Sequence, residues 1–575
     1  MTSTKLTIAE RRAAIAARNP EWVETTVFSH LVRQAAEFGE RPFLMTDTET
    51  VTYAQTVSRV RTLGRALMAL GVERGDHVAM IMPNCPEFIV LRFALAAIGA
   101  AGVPINTLLK TTELAYIVRQ SGSRLVVAMD TFRGSDYLAT LDGAMPGWED
   151  GSFDGFPELN RVVVFETGQG RRSTRAFKFA ELDALAEKIS ESDLEARTAS
   201  VEPRDLLDIV YTSGTTGLPK GVMHTHDGVR RCSFTASLAR ALPDGNRLMF
   251  ALPLYHSYAY IEGLMANTWA AGSVVMHDKF DPEAMMATVE RLEVNELLLV
   301  PTMSIALLEH PKLKAYSFAS LHAVMSAAAQ APVRLWQDIC DAFGVTEVTT
   351  AYGQTELTSS AAYKRPEDPL EKLITTVGRL KPRSVAGTPE TDGRVALYRV
   401  ADPETGELLE QGKPGELIAY GPEMMLGYYN KPEENAAVFR ADGWMRTGDL
   451  GFINDDGCIV LTGRSKELYK CGGELVSPKE IEDILTERPE VSQAYVVGIP
   501  DVRMSEVGAA FVVSNGTAEL KPDEILDHLK ANLARFKWPR HVFVVEAGEL
   551  PTTATGKVQK FRLRDIAVEK AGQGG

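Results

Sequence analysis

From about residue 50 to residue 360, short apolar runs alternate with segments whose apolar residues recur at helical spacing. The runs "HVAMIM", "RLVVAM", "LLDIVYTS", "RLMFALPL", "ELLLVP" and "LHAVMSA" read as buried strands, because a strand covered on both faces needs no polar alternation. The helical segments between them carry start and stop signals. In "FDPEAMMATVERL" Asp281 caps and Pro282 takes the first helical position; in "APVRLWQDICDAFG" Pro332 opens a helix and Gly344 closes it. Repeated strand–helix alternation implies layered α/β structure. The most apolar stretch, "FIVLRFALAAIGAAGVPI" (88–105), contains Arg92 and is broken by Gly99, Gly102 and Pro104. It predicts a buried helix running into a strand, not a membrane span.

Beyond about residue 380 the pattern changes to short strands and turns, "GRVALYRV", "GELIAYG" and "GCIVLTGR", which predict a β-rich subdomain over about 380–465. A last unit follows. There "SPKEIEDIL" sets Ser477, Pro478 and Glu480 in a capping-box arrangement, ahead of "QAYVVGIPD", "GAAFVVS", a helix around 522–535 and "HVFVVE". The expected organisation is a large α/β N-terminal domain (1–465) of several subdomains and a smaller α+β C-terminal domain (466–575), a size that can fold alone.

Length and charge narrow the function. A chain of 575 residues with 45% apolar content is too long for one core. A formal charge of −15 argues against a general nucleic-acid or anionic-membrane surface, so any phosphate chemistry belongs to a local site. The five cysteines (Cys85, Cys232, Cys340, Cys458, Cys471) are scattered and lack metal-ligand spacing. They suit a reducing cytoplasm and predict no metal cluster. The basic opening "MTSTKLTIAERRAAIAARNP" has no apolar signal core and reads as a surface helix.

One short stretch carries candidate chemistry. "YTSGTTGLPKG" (211–221) gathers hydroxyl donors, glycines that let a ligand approach the backbone, and a lysine, the ingredients of a phosphate loop. It is not a Walker motif, because Pro219 precedes Lys220 and Gly221 follows it.

Together with "YGQTE" (352–356), "TGDL" (447–450), "GRSKELYKCGGELVSPKEIE" (463–482) and "PTTATGK" (551–557), that loop resembles the adenylate-forming superfamily of acyl-CoA synthetases, luciferases and peptide-synthetase adenylation domains. The resemblance spans nearly the whole chain. It implies a two-step reaction in which a carboxylate attacks the α-phosphate of ATP to give an acyl-adenylate and pyrophosphate, and a thiol then displaces AMP. Nucleophile and ATP are both anions, so the first step needs concentrated positive charge and aligned donors.

The resemblance assigns roles position by position. Thr212, Ser213, Gly214, Thr215, Thr216, Gly217 and Lys220 would hold the β- and γ-phosphates. Ala328, Ala329 and Gln330, with Tyr352, Gly353 and Gln354, would border adenine. Thr355 would reach a phosphate and Glu356 would bind Mg²⁺, a hard cation suited to carboxylate and phosphate oxygens. Asp449 and Arg464 would hold the ribose, and Lys557 would bridge the carboxylate and the α-phosphate. Lys466 would be the hinge about which a mobile C-terminal domain turns between the half-reactions, bringing Lys470, Gly472 and Gly473 to the thiol entry. His256, Ala327, Ala328, Gly353 and Ser359 would line the acyl pocket. A lone histidine in an apolar run is more often a core residue, and Cys471 more often inert packing than a reactive thiol.

Two departures from the family pattern bear on the acid. "SAAAQA" (326–331) stands where many members have a Ser-Gly-Gly-Ala-Pro-Leu stretch, so the Ala327 and Ala328 methyls are expected to narrow the pocket. "LTSS" (357–360) replaces a more apolar segment, with Ser359 and Ser360 adding polarity. The leading reading is an AMP-forming carboxylate:CoA ligase for a medium-chain, alicyclic or aromatic acid, using ATP, Mg²⁺ and coenzyme A, as a monomer or homodimer. An acyl-AMP ligase serving a carrier protein would require a different thiol acceptor, and a luciferase-like oxygenase would consume oxygen. A non-catalytic nucleotide-binding relative should have lost charged positions, yet Glu356, Asp449, Arg464 and Lys557 are all present.

Overall fold

The computed structural model describes residues 6–168, 175–212, 218–328, 334–472, 474–553 and 556–573. Two large sheets form its base. The seven-stranded sheet is parallel through Ala101–Pro104, His77–Ile81, Leu125–Met129 and Arg161–Phe165, with the antiparallel pair Leu206–Thr212 and Lys220–Thr225 at one edge. The nine-stranded sheet places Glu347–Gly353, Ala323–Ser326, Glu296–Leu299 and Arg247–Phe250 side by side and parallel. A parallel sheet ends all its strands at one edge, and in open α/β sheets that carboxyl edge is where ligands bind. The topology therefore gathers the segments after Phe250, Leu299, Ser326 and Gly353.

The apolar run at 88–105 folds as expected. Pro86–Ile98 is a helix in which every residue but Glu87 is buried, stopped by Gly99 at φ +75°, and Ala101–Pro104 follows as a strand. A helix apolar all round belongs in a core, and no helix among the described residues is long and apolar enough to cross a membrane. Asp281 accepts from the Ala284 amide and caps Pro282–Arg291, and Gly344 closes Leu335–Phe343 at φ +67°, whereas Pro332 lies outside the described residues. The opening segment is a helix, Ile8–Arg18, started by a Thr7–Glu10 capping box.

Two expectations are corrected. "RLMFALPL" is strand only to Phe250, because the next residues bond to side chains of another element in place of a ladder. Ser477 precedes the helix Pro478–Thr486 but makes no capping bond; its hydroxyl donates to the Thr462 carbonyl at 2.7 Å, and Glu480 pairs with Lys537 instead. The carbonyl offers that hydroxyl a partner with no competing helix geometry to satisfy.

A four-stranded antiparallel sheet spans Leu397–Arg464, and a five-stranded sheet with Tyr469–Cys471 and Val491–Ser514 makes a separate core from Tyr469 to Ala567. The alanines after Ala323–Ser326 differ sharply. Ala327 is buried, but Ala328 is exposed and left-handed at φ +71°, so its methyl is strained rather than packed into a wall. The left-handed region costs a non-glycine residue about 1–2 kcal/mol. Ala328→Gly should relieve that strain, less the ~0.4–1 kcal/mol gained by the unfolded chain, and raise stability by up to about 1 kcal/mol. Ala327→Gly should instead lower it by about 1–2 kcal/mol through lost methyl burial and added unfolded-chain freedom. Urea midpoints of the two variants check this; shifts in the same direction would contradict it.

Candidate active site

The cleft is built from the carboxyl edges of both sheets and closed by the C-terminal unit. On the seven-stranded sheet, Thr212 faces Lys220 across the hairpin that brackets the glycine-rich loop. Ser213, Gly214, Thr215, Thr216 and Gly217 lie outside the described residues, as do Ala329, Gln330 and Gly473. Lys220 Nζ sits 4.9 Å from the centroid of the Tyr428 ring, whose hydroxyl donates to Glu356 Oε1 at 2.7 Å. The stem of the loop is thereby set beside the "YGQTE" carboxylate.

That motif is held from behind. His224 Nε2 lies 2.7 Å from the Thr355 carbonyl, and the Met425 amide donates to the Glu356 carbonyl. Gly353 has no room for a side chain, since a Cβ there would lie 2.0 Å from the Ser359 carbonyl oxygen. Glycine is thus required by close strand approach, and Gln354 begins the turn into Thr355–Leu357. Ser359 is buried. Ser360 does not add polarity to the pocket, because its hydroxyl is spent on the buried Glu262 at 2.5 Å.

Asp449 anchors the opposite wall. It is buried, accepting from the Tyr352 hydroxyl at 2.7 Å through Oδ2 and from Arg464 Nε at 2.9 Å through Oδ1. Pairing in register on adjacent antiparallel strands sets the Asp449–Arg464 geometry. Each carboxylate oxygen keeps a lone pair for a further donor.

Lys557 comes to this wall from the C-terminal unit. The bend at Gly556 (φ +73°) packs so closely on the helix Pro301–Leu308, which follows the strand Glu296–Leu299, that a Cβ there would lie 2.5 Å from Thr302 Oγ1. Lys557 remains open to solvent in the cleft yet ringed by protein, and its ammonium is pushed down from 10.5 to about 8, first by the Arg464 guanidinium and then by burial. Asp449 and Glu467 act in the other direction. The charge of Lys557 reaches His256, whose imidazole is lowered to about 4, mainly by burial. His256 is therefore neutral at pH 7. Its Nδ1 accepts from the Tyr258 amide at 3.2 Å, leaving Nε2 to carry the proton. A π-helix, Tyr258–Met265, begins directly after it; such turns are rare and often sit at functional sites.

Lys470 and Gly472 are elsewhere. Lys470 is exposed, its amide donating to Glu506 at 3.0 Å, and a Cβ on Gly472 would meet Met504, so both lie among residues of the C-terminal unit. Cys471 between them is buried and its thiol is pushed up by burial, as suits inert packing. Lys466 stands between Arg464 and Glu467, and Lys560 bridges Glu467 and Glu482 at 2.7 and 2.8 Å. Sequence reasoning missed Tyr428 and His224, which no local pattern marks.

Comparison with known proteins gives a family for the chain. The family model described as AMP-binding enzyme matches residues 31–429, and that of the AMP-binding enzyme C-terminal domain matches 480–557. A 3-[(3aS,4S,7aS)-7a-methyl-1,5-dioxo-octahydro-1H-inden-4-yl]propanoyl:CoA ligase of Rhodococcus jostii is 34% identical over 94% of this chain and 98% of its own. A mitochondrial medium-chain acyl-CoA ligase of Mus musculus is 28% identical over 94% and 88%. The crystal structure of ATP-bound MatB from Rhodopseudomonas palustris superposes with a TM-score of 0.78 at 28% identity, covering 94% of this chain and 98% of that one.

The electrostatics make a direct prediction. Competitive amine labelling of Lys557 against pH, read by mass spectrometry, should give a midpoint near 8. Arg464→Gln should move it up, because the repulsion is gone, and Asp449→Asn should move it down. A midpoint unmoved in Arg464→Gln would show that the guanidinium is not the cause.

Proposed function

This chain belongs to the AMP-binding enzyme family, and we propose that it is an AMP-forming carboxylate:CoA ligase in which Lys557, His256 and Glu356 serve the adenylation step. The observation that carries the reading is the C-terminal lysine brought into one cleft with Asp449, Arg464 and His256. The acid binds beside the Nε2–H of His256, a neutral donor that orients a carboxylate without quenching its nucleophilicity. Lys557 spans the carboxylate and the α-phosphate and stabilises the charge that builds as oxygen attacks phosphorus and pyrophosphate leaves. Asp449 takes the ribose hydroxyls on its remaining lone pairs while Tyr352 borders the base. Thr355, Thr212, Lys220 and the loop between the last two hold the phosphates.

Glu356 suits Mg²⁺ as a single protein carboxylate. It would share the ion with the phosphate oxygens of the nucleotide. Mg²⁺ there would neutralise the phosphates and the departing pyrophosphate.

The second step needs a thiolate where Lys557 stands. We infer that the unit 466–575 turns about Lys466, withdrawing Lys557 and bringing Lys470, Gly472 and Gly473 to the entry for the CoA thiol, which attacks the acyl carbonyl and expels AMP. The separate core from Tyr469 to Ala567 supports a rigid-body turn. A medium-chain or cyclic acid is favoured by the kinship with ligases named for such acids, and a cytoplasmic setting by five free cysteines.

Pyrophosphate release across a panel of carboxylic acids, with and without CoA, tests the activity; absence of turnover with every acid would remove it. Lys557→Ala should cut adenylation about 10²–10³-fold while converting supplied acyl-adenylate and CoA at close to the normal rate. Lys470→Ala should show the reverse. The adenylation kcat/KM should fall as pH rises through about 8, where free-enzyme Lys557 loses its proton, and Lys557→Arg should carry that limb to higher pH.

A further inference from the structure

The loop that delivers His256 runs from Ala251 to His256 without regular structure, yet its backbone is held at three polar groups by side chains that precede or belong to the buried helix Pro86–Ile98. Asn84 Nδ2 donates to the Leu252 carbonyl at 2.8 Å and to the His277 carbonyl at 3.0 Å. Asn84 Oδ1 accepts from the Leu254 amide at 2.9 Å. Arg92 Nη1 donates to the Leu254 carbonyl at 3.0 Å. One residue, two positions before His256, is therefore gripped on both its N–H and its C=O.

Arg92 is itself fixed with no freedom to relax. Its Nε and Nη2 form a two-pronged pair with Asp208, at 3.1 and 2.7 Å, and its guanidinium carbon lies 3.3 Å from the centroid of the Tyr260 ring on the π-helix that follows His256. Both charged partners are buried, Arg92 at 3% exposure and Asp208 at 0%. Gly102 leaves the space, since a Cβ there would lie 2.8 Å from Asp208 Oδ1. Asp208 belongs to Leu206–Thr212, the strand that runs into the glycine-rich loop.

A helix scaffold gains nothing from a guanidinium at this point. A buried ion pair contributes little net stability over well-packed apolar residues, whereas its directional donors can fix a geometry. We propose that Asn84 and Arg92 are positioning residues for the acid-binding loop: they clamp Leu254 and thereby hold His256 at the carboxylate, with Asp208 keying that loop to the strand that carries the phosphate loop. The inference rests on the acid site assigned above. Displacement of a binding group by about 1 Å costs up to ~10²-fold in rate, so a loosened clamp acts on acid use while sparing ATP.

The test measures KM for acid and for ATP, adenylation kcat and thermal midpoint in Asn84→Ala and Arg92→Lys. Asn84→Ala leaves the ion pair intact. Arg92→Lys keeps the charge on Asp208, but a single ammonium cannot also reach the Leu254 carbonyl in the same geometry. Both should raise KM for the acid or lower kcat, with kcat/KM for the acid down about ten- to a hundredfold, while KM for ATP stays within about twofold and the thermal midpoint falls only as far as the lost buried hydrogen bonds require. Acid and ATP parameters falling together with the midpoint would overturn the proposal in favour of a structural role, and so would unchanged acid parameters in a folded Asn84→Ala variant. Failure of the wild-type protein to adenylate any acid would instead remove the reading of the site itself.

Discussion

The cleft is organised around a like-charge confrontation. Arg464 lies close enough to Lys557 that its charge, together with burial, moves the lysine down from 10.5 to about 8. Nothing in the ordinary economy of folding favours two cations facing each other across a partly desolvated space. Asp449 and Glu467 offset the repulsion without removing it. A polyanion placed between the two would relieve it, which is the electrostatic basis of the role proposed for Lys557.

Holding that geometry falls to parts of the chain with little else in common. Strand pairing sets Arg464 against Asp449, and a hydroxyl from Tyr352 on the nine-stranded sheet locks the carboxylate from the other side. Lys557 arrives on a bend that fits against Thr302 because residue 556 has no side chain. Its loop is tied to the segment beside Arg464 through Lys560 and Glu467. The contact with Thr302 crosses from the C-terminal unit to the helix Pro301–Leu308 and must break if the unit turns, whereas the Lys560 ion pairs bind Lys557's loop to Glu467 and Glu482 within that unit.

The neutral imidazole of His256 is the counterpart at the proposed acid site. A cationic histidine beside Lys557 would add a third positive charge, and burial together with the lysine prevents it. The Tyr258 amide then decides which ring nitrogen keeps the proton. Backbone, burial and a distant lysine thus settle the protonation of one side chain.

The sequence by itself determined the layered α/β class, the buried helix at 86–98 with its glycine stop and the caps at Asp281 and Gly344, and it marked Thr212, Lys220, Glu356, Asp449, Arg464 and Lys557 as candidates, because apolar periodicity and short motifs are local and survive in the order of residues. Only the tertiary structure decided what those residues meet. That Tyr428 backs Glu356, that His224 holds the Thr355 carbonyl, that Ser360 turns to Glu262 and that Ala328 is strained instead of packed are all consequences of contacts between segments far apart in the chain. Ser477 shows the same limit in small, since a local capping pattern lost to a carbonyl fifteen residues away. Local rules fix which bonds a side chain can make; burial and crossing strands fix which one it does make, because each donor takes the best partner that packing leaves within reach.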